Sequence, residues 1–294
     1  MKRNVAVIGP GRLGQAVAAR LRQQGYPITA IVGRELERTR SAARFIGAEL
    51  MATTELKRCA PADIIFITTP DDQLANTAQQ LYTQVELGVR TVVVHCSGLH
   101  PAATIQPSNS DQAERAHCLS MHPLQTFASG EQGVKALAGS YFSLEGDESA
   151  IAIGQKLVED LGGISFSIDA PSKALYHAAA CMASNFITTL LGSVADTLKL
   201  CTGKEEIPLA AMAPLIQMAV TNTLSMGASA ALSGPIVRGD SATVAKHLEQ
   251  LRKSDPQLEQ LYQCLALHTV HLASKAQRLS PESAAIMDEI IHNH

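Results

Sequence analysis

The sequence predicts an α/β fold: a doubly wound parallel sheet followed by a second, all-helical C-terminal domain. Three observations carry this reading. Short apolar runs alternate with amphipathic stretches through the first half of the chain. A glycine-rich turn follows the first of those runs at once. Past Pro171 the short apolar runs stop and the chain becomes Ala-rich and helical. A chain of 294 residues holds about two domains. The expected division is 1–170 and 171–294, with Pro171 as the hinge.

The elements follow in order. Val5 to Ile8 is wholly apolar and ends at Gly9, as a parallel strand buried on both faces should. A helix runs from about Leu13 to Gln24 and closes at Gly25. Ile28 to Val32 is the second strand. Glu35 to Ile46 has helical spacing and stops at Gly47. Ile64 to Ile67 is a third strand, Asp71 to Leu87 a helix, and Thr91 to Val94 a fourth strand. Strands near Ala116–Met121, Ser140–Leu144 and Ile164–Ile168, with a helix over Glu148–Leu161, complete the first part. This alternation indicates a parallel sheet covered on both faces. Helices near 172–200, 207–227, 241–253, 256–276 and 281–291 make up the second part.

Composition narrows the function. Hydrophobic residues at 46% and charged residues at 17% supply sizeable cores and exclude global disorder. A net charge of −3, 4% aromatics and no Trp leave little for a nucleic-acid partner, which needs a basic stripe or stacking rings. Six cysteines (Cys59, Cys96, Cys118, Cys181, Cys201, Cys264) show no paired spacing, so neither a disulfide framework nor a metal site is expected. A reducing cytoplasm fits them best. The first residues lead straight into a strand with no signal-like apolar region, so export is not expected. Ala174 to Ala195 carries no Lys, Arg, Asp or Glu. It also holds His177, Ser184, Asn185, Thr188 and Thr189, which would need partners in lipid. The expectation is a buried helix of a soluble domain, with no membrane partner.

The glycine turn points to a ligand. Gly9, Pro10, Gly11, Arg12, Leu13 and Gly14 match GxGxxG between a strand and a helix. The first glycine permits the tight turn, the second lets the backbone approach a pyrophosphate, and the third lets helix and strand pack closely. The second strand ends in Gly33 and Arg34, where NAD sites usually carry an acidic residue. A guanidinium there suits a 2′-phosphate, so NADP is expected, with Arg38 as a second contact. Glu35 is the competing residue, placed to hold a ribose instead. The other strand ends should line the same crevice. They are Thr68-Thr69-Pro70-Asp71-Asp72 and His95-Cys96-Ser97-Gly98.

A second constellation lies just past Pro171. Lys173, His177, Cys181 and Asn185 recur every four residues and would share one helical face. The rest of that helix is almost wholly apolar, so the stripe reads as a polar line facing a cleft. Ser97 and His122 join Lys173, His177 and Asn185 as candidate catalytic residues. Cys181 reads as a small core residue. Gly234 to Ser241 reads as a turn in which Asp240 or Ser241 caps the next helix, with Arg238 as a possible anion contact.

The segments GPGRLG at 9–14, TTPDDQL at 68–74, HCSG at 95–98, MHPLQTF at 121–127, YHAAACMASNF at 176–186 and SGPIVRGD at 233–240 resemble a bacterial group. That group joins a Rossmann-like N-terminal domain to a helical domain of unknown function, DUF2520, and is labelled as predicted NADP oxidoreductases. The architecture is more distantly similar to pyrroline-5-carboxylate reductase, ketopantoate reductase, β-hydroxyacid dehydrogenases and prephenate dehydrogenase. Two of those groups place a Lys and then an Asn four residues on, where this chain has Lys173 and His177. Prephenate dehydrogenases carry a Ser after a strand and a later His–Pro pair, which Ser97 and His122-Pro123 match, but the Lys that follows that Ser is missing. The resemblance implies hydride transfer between NADPH and a small carbonyl, imine or hydroxy acid bound between the two domains. Lys173, His177 or His122 would handle the proton, with Asn185 and Ser97 orienting the substrate. It also implies a homodimer formed through the helical half. The alternative is a non-catalytic NADP(H)-binding sensor or scaffold.

Overall fold

The computed structural model describes residues 2–88, 90–107, 116–201 and 207–293. The chain divides into two compact units, Met1–Ser184 and Asn185–His294.

Among the described residues the first unit is built on eight strands: β1 (Val5–Ile8), β2 (Ile28–Val32), β3 (Ala52–Thr53), β4 (Ile64–Ile67), β5 (Thr91–His95), β6 (Ala116–Pro123), β7 (Tyr141–Gly146) and β8 (Ile164–Ser167). Their order is β3-β2-β1-β4-β5-β6-β7-β8. The order reverses between β1 and β4, which leaves a crevice beyond their carboxyl ends. Neighbours pair in parallel except β6 and β7, which are antiparallel with His122 opposite Ser143. The last two strands therefore run against the rest, a departure from the all-parallel expectation.

Alternating side chains explain why the central strands read as unbroken apolar runs. Val5, Val7, Phe66, Val92 and Val94 pack into a core on one face. Ala6, Ile8, Ile65, Ile67 and Val93 pack into another. Successive residues of a strand point to opposite faces, so a strand covered on both sides needs an apolar residue at every position. The helices of this unit are α1 (Arg12–Gln23), α2 (Leu36–Ile46), α3 (Leu74–Gln84), α4 (Gly130–Leu137), α5 (Glu148–Leu161) and α6 (Lys173–Ala183). Neither α4 nor β3 is evident in the sequence. The start of α4 is set by Ser129, whose hydroxyl accepts the Gln132 N–H.

The second unit holds α7 (Asn185–Cys201), α8 (Ala213–Met226), α9 (Ser241–Ser254), α10 (Pro256–Lys275) and α11 (Pro281–Asn293). Val244, Leu248, Ala266, Val270, Ala273, Met287 and Ile291 form its core among α9, α10 and α11. Asp240 caps α9 by accepting the Thr243 N–H and hydroxyl, as the turn reading anticipated.

Three expectations are corrected here. The units part after Ser184 rather than at Pro171. The Lys173 ammonium fastens the helix after Pro171 to Ser120 within β6 and to the Ser97 carbonyl just past β5. That helix is also not continuous. Ser184 leaves helical geometry (φ −127°, ψ −73°), so Asn185 starts a new helix and does not share a helical face with Lys173, His177 and Cys181. Nor is it buried: Lys173 is the one buried residue of α6, and none of the described residues of α7 is buried. Ala170–Cys201 and Leu209–Met226 are each long and apolar enough to cross a membrane by length and composition.

Candidate active site

The glycine turn is held from beneath by Thr68. Gly9 takes a left-handed conformation (φ +81°), which favours a residue without a Cβ. The Thr68 hydroxyl donates to the Gly9 carbonyl at 2.7 Å. A Cβ on Gly14 would overlap that hydroxyl and stand 3.1 Å from the Gly9 carbonyl. The third glycine of the motif is thus required by a named threonine. Helix α1 then opens with no side-chain cap and no acidic residue in its first turn. Its first N–H groups are left for an anion, and the helix dipole favours one.

These features bound an open groove of about 780 Å³. Its walls include Gly9, Pro10, Gly11, Arg12, Leu13, Gly33, Arg34, Glu35, Arg38, Thr68, Thr69 and Pro70. The predicted cofactor residues are therefore brought together, apart from Gly14, which packs beneath the turn against Thr68, and Ser97. Thr69 lines the groove, and among the described residues its buried hydroxyl has no hydrogen-bond partner. An orphaned hydroxyl costs free energy unless something completes it, and a ribose or amide group of a dinucleotide fits that need. Glu35 is engaged by Arg38 at 3.0 Å, on the exposed rim.

Beyond Pro70 the polar network continues within the first unit. Asp71 Oδ2 accepts from the Ser97 hydroxyl at 2.8 Å. Ser97 in turn accepts the N–H groups of Leu99 and His100. His95 is fully buried. Its Nδ1 accepts the Ser97 N–H at 3.1 Å and its Nε2 meets the Pro101 carbonyl at 3.2 Å. Burial pushes the His95 imidazole down to about 3, so it stays neutral. Lys173 is 1% exposed. Its ammonium donates to the Ser120 hydroxyl at 2.7 Å and to the Ser97 carbonyl at 3.4 Å. Burial lowers its pKa, against the pull of Glu145 and Asp71.

His122 and His177 meet over Gly98. A Cβ there would stand 2.9 Å from His122 Cε1 and Nε2, and would overlap His177 Nδ1. The two rings are edge-on, with centroids 5.9 Å apart. His122 Nδ1 lies 2.7 Å from the Tyr176 hydroxyl. His177 Nδ1 is buried without a partner among the described residues, while its Nε2 lies 3.7 Å from Cys181 Sγ. Burial, with His177 and Lys173 nearby, pushes His122 down to about 4.

Ser97, His122, Lys173 and His177 are thus gathered around the carboxyl ends of β5 and β6, and Asn185 belongs to the second unit. Tyr176 and Ser120 were not singled out from the sequence, and Asp71 and His95 were expected only as members of the strand ends lining the crevice. Tyr176 precedes His177 and Asp71 follows Pro70, so adjacency to chosen residues was the available signal.

Two family models match the chain. NADP oxidoreductase coenzyme F420-dependent matches residues 4–97, and the domain of unknown function DUF2520 matches residues 140–269. Among solved structures, a proposed NADP oxidoreductase from Bacteroides fragilis is 23% identical, with a TM-score of 0.74 over 93% of this chain and 98% of that one. Protein TM1727 from Thermotoga maritima is 25% identical, with a TM-score of 0.68 over 93% and 99%. A pyrroline-5-carboxylate reductase from Coxiella burnetii is 13% identical, with a TM-score of 0.55 over 94% and 98%, a likeness of fold alone. With the glycine corner and groove in place, the chain is thus similar to NADP oxidoreductases over residues 4–97 and to the DUF2520 domain over residues 140–269.

Proposed function

We propose that this chain transfers a hydride between NADPH and a small carbonyl, imine or hydroxy acid. The observation that supports it most is the buried, unpartnered Thr69 hydroxyl in a groove floored by the glycine turn. The backbone from Gly9 to Gly14 and the start of α1 would hold the pyrophosphate. Arg34, with Arg38 beside it, would hold a 2′-phosphate through its planar fork of donors. When bound, the dinucleotide supplies or accepts the hydride. The chain's own residues manage the accompanying proton. His122 and His177 meet over Gly98 as two neighbouring imidazoles, which suits acid–base work. Lys173 sits behind them, almost without exposure, and fastens α6 to β5 and β6. Six free thiols support a reducing, cytoplasmic setting.

Equilibrium titration with NADPH and NADH tests the cofactor assignment. NADPH should bind at least about tenfold tighter, and Arg34→Glu should abolish that preference by placing a carboxylate against the phosphate. If neither nucleotide binds the wild-type chain, the oxidoreductase reading falls.

The working unit in this proposal is a homodimer through the second unit. Phe186, Leu190, Leu215, Met218 and Leu224 are exposed on α7 and α8, Leu224 by 82%. Large apolar side chains left in water on two helices favour an interaction face. The Asp196–Lys199 pair on α7 argues for a protein partner over lipid. Self-association with two-fold symmetry is the commonest arrangement of soluble oligomers. Sedimentation should give twice the chain mass, and Leu224→Glu with Met218→Glu should give one. A wild-type monomer at micromolar concentration would end this assignment.

A further inference from the structure

We propose that Tyr176 is a positioning residue that holds His122 as its Nε2–H tautomer, with that N–H presented over Gly98 as a hydrogen-bond donor to an oxygen of the substrate. The donor role rests on the oxidoreductase reading, whereas the tautomer rests on geometry alone.

The two edges of the His122 ring face different groups. Nδ1 lies 2.7 Å from the Tyr176 hydroxyl, with the two rings nearly perpendicular at 88°. The opposite edge, Cε1 and Nε2, lies against the Gly98 backbone beside His177. A neutral imidazole carries one proton, and the partner of one nitrogen decides where it sits.

The phenol decides it here. Burial raises Tyr176 above the ordinary tyrosine range, so it keeps its hydrogen. That hydrogen needs an acceptor. Ser143 lies opposite His122 across β6 and β7 and bears on the phenol oxygen as a donor that lowers its pKa, which leaves the phenol's own hydrogen for another acceptor. His122 Nδ1 is within reach and accepts it. With Nδ1 occupied as an acceptor, the ring's own proton belongs on Nε2.

The groups facing His122 keep it neutral. They are His177, Tyr176 and Lys173 on α6, His95 on β5, and Asp71 after β4. Burial and the first and third of these disfavour the imidazolium, and only Asp71 favours it. A neutral imidazole with a fixed N–H is suited to polarise a carbonyl or to stabilise charge developing on its oxygen. The same N–H opposes a protonated imine, which presents a donor and a positive charge of its own. Tyr176 thereby ties substrate choice to an oxygen at the reacting carbon.

The test is the ring itself. Full-length protein labelled with ¹⁵N-histidine is examined by two-bond ¹H–¹⁵N correlation at pH 7.5, with His122→Asn used to identify the His122 signals. The expected result is a protonated Nε2 and an unprotonated Nδ1. In Tyr176→Phe the same signals should move to an average of both tautomers, and the His122 pKa should rise by about one unit or more, because a bond to the neutral form is lost. A protonated Nδ1 in the wild type overturns the proposal, as does an unchanged tautomer in Tyr176→Phe. Should the variant fail to fold, the wild-type spectrum alone decides. NADPH titration of the same sample judges the oxidoreductase reading separately.

Discussion

The Ser97 hydroxyl donates to Asp71 at 2.8 Å and accepts the N–H groups of both Leu99 and His100. One proton and two lone pairs are the whole capacity of a serine oxygen. Ser97 therefore ties the turn after β5 to the turn after β4, and its oxygen is fully used within the chain.

Replacing Ser97 with Ala should consequently act on stability. It removes a charge-assisted bond and strands two N–H groups, at a cost of about 1–3 kcal/mol. The denaturation midpoint should fall, and NADPH affinity should change little, since Ser97 is not part of the groove wall. A Ser97→Ala protein with unchanged stability but lost turnover would instead assign the hydroxyl to the substrate.

Gly98 gives a sharper separation of binding from chemistry. An added methyl group would overlap His177 Nδ1 and press on His122. Both rings must shift, and misplacement of about 1 Å can cost a hundredfold in rate. Gly98→Ala should keep NADPH binding within about twofold, as a side chain outside the groove should, and lose most turnover. Crystal structures or histidine NMR would show the displaced rings. Full activity with unmoved rings would remove His122 and His177 from the chemistry.

Much of the first unit was legible because burial on two faces leaves a direct trace. Val5–Ile8 and Ile64–Ile67 are apolar at every position for that reason. The glycine turn was legible because its geometry tolerates few other residues. The reversal of β7 was not, since strand direction leaves no mark on composition. The break at Ser184 carries neither glycine nor proline. An apolar sequence such as α7 tells that something should cover it and not what does. The pairing of Asp71 with Ser97 and the role of Tyr176 escaped notice because the partners lie 26 and 54 residues away in other elements. Such pairings are made by the sheet order and not by local spacing.

Lys173 offers a test of charge against shape. Its ammonium is buried and bonded to Ser120 and the Ser97 carbonyl. Truncation to Ala removes both bonds and leaves a cavity, which should cost about 2–5 kcal/mol. Lys173→Met keeps most of the volume and removes the cost of burying a charge, so it should be far milder. The two variants should separate clearly in urea denaturation. Equal destabilisation by Met and Ala would show that the ammonium's bonds outweigh its desolvation.

Acid sensitivity should come from two neutral imidazoles. His95 is held near 3 and His122 near 4, both lowered first by burial. In the unfolded chain both take up a proton near the ordinary value of about 6.5. Between that value and their folded values, the unfolded state binds more protons, so stability must fall as the pH falls. Each unit of depression corresponds to about 1.4 kcal/mol, so the combined loss between pH 6.5 and 4 reaches several kcal/mol. It begins above the range where ordinary carboxylates titrate. His95 has a structural reason to resist protonation, because Nδ1 already accepts the Ser97 N–H and a proton there would oppose it. Urea midpoints should be flat above pH 7 as far as these groups are concerned, and should decline steadily from pH 6.5 to 4.5. His95→Gln should flatten that decline while lowering the plateau. A wild-type midpoint that stays constant down to pH 4.5 would mean that water reaches both rings in the folded protein.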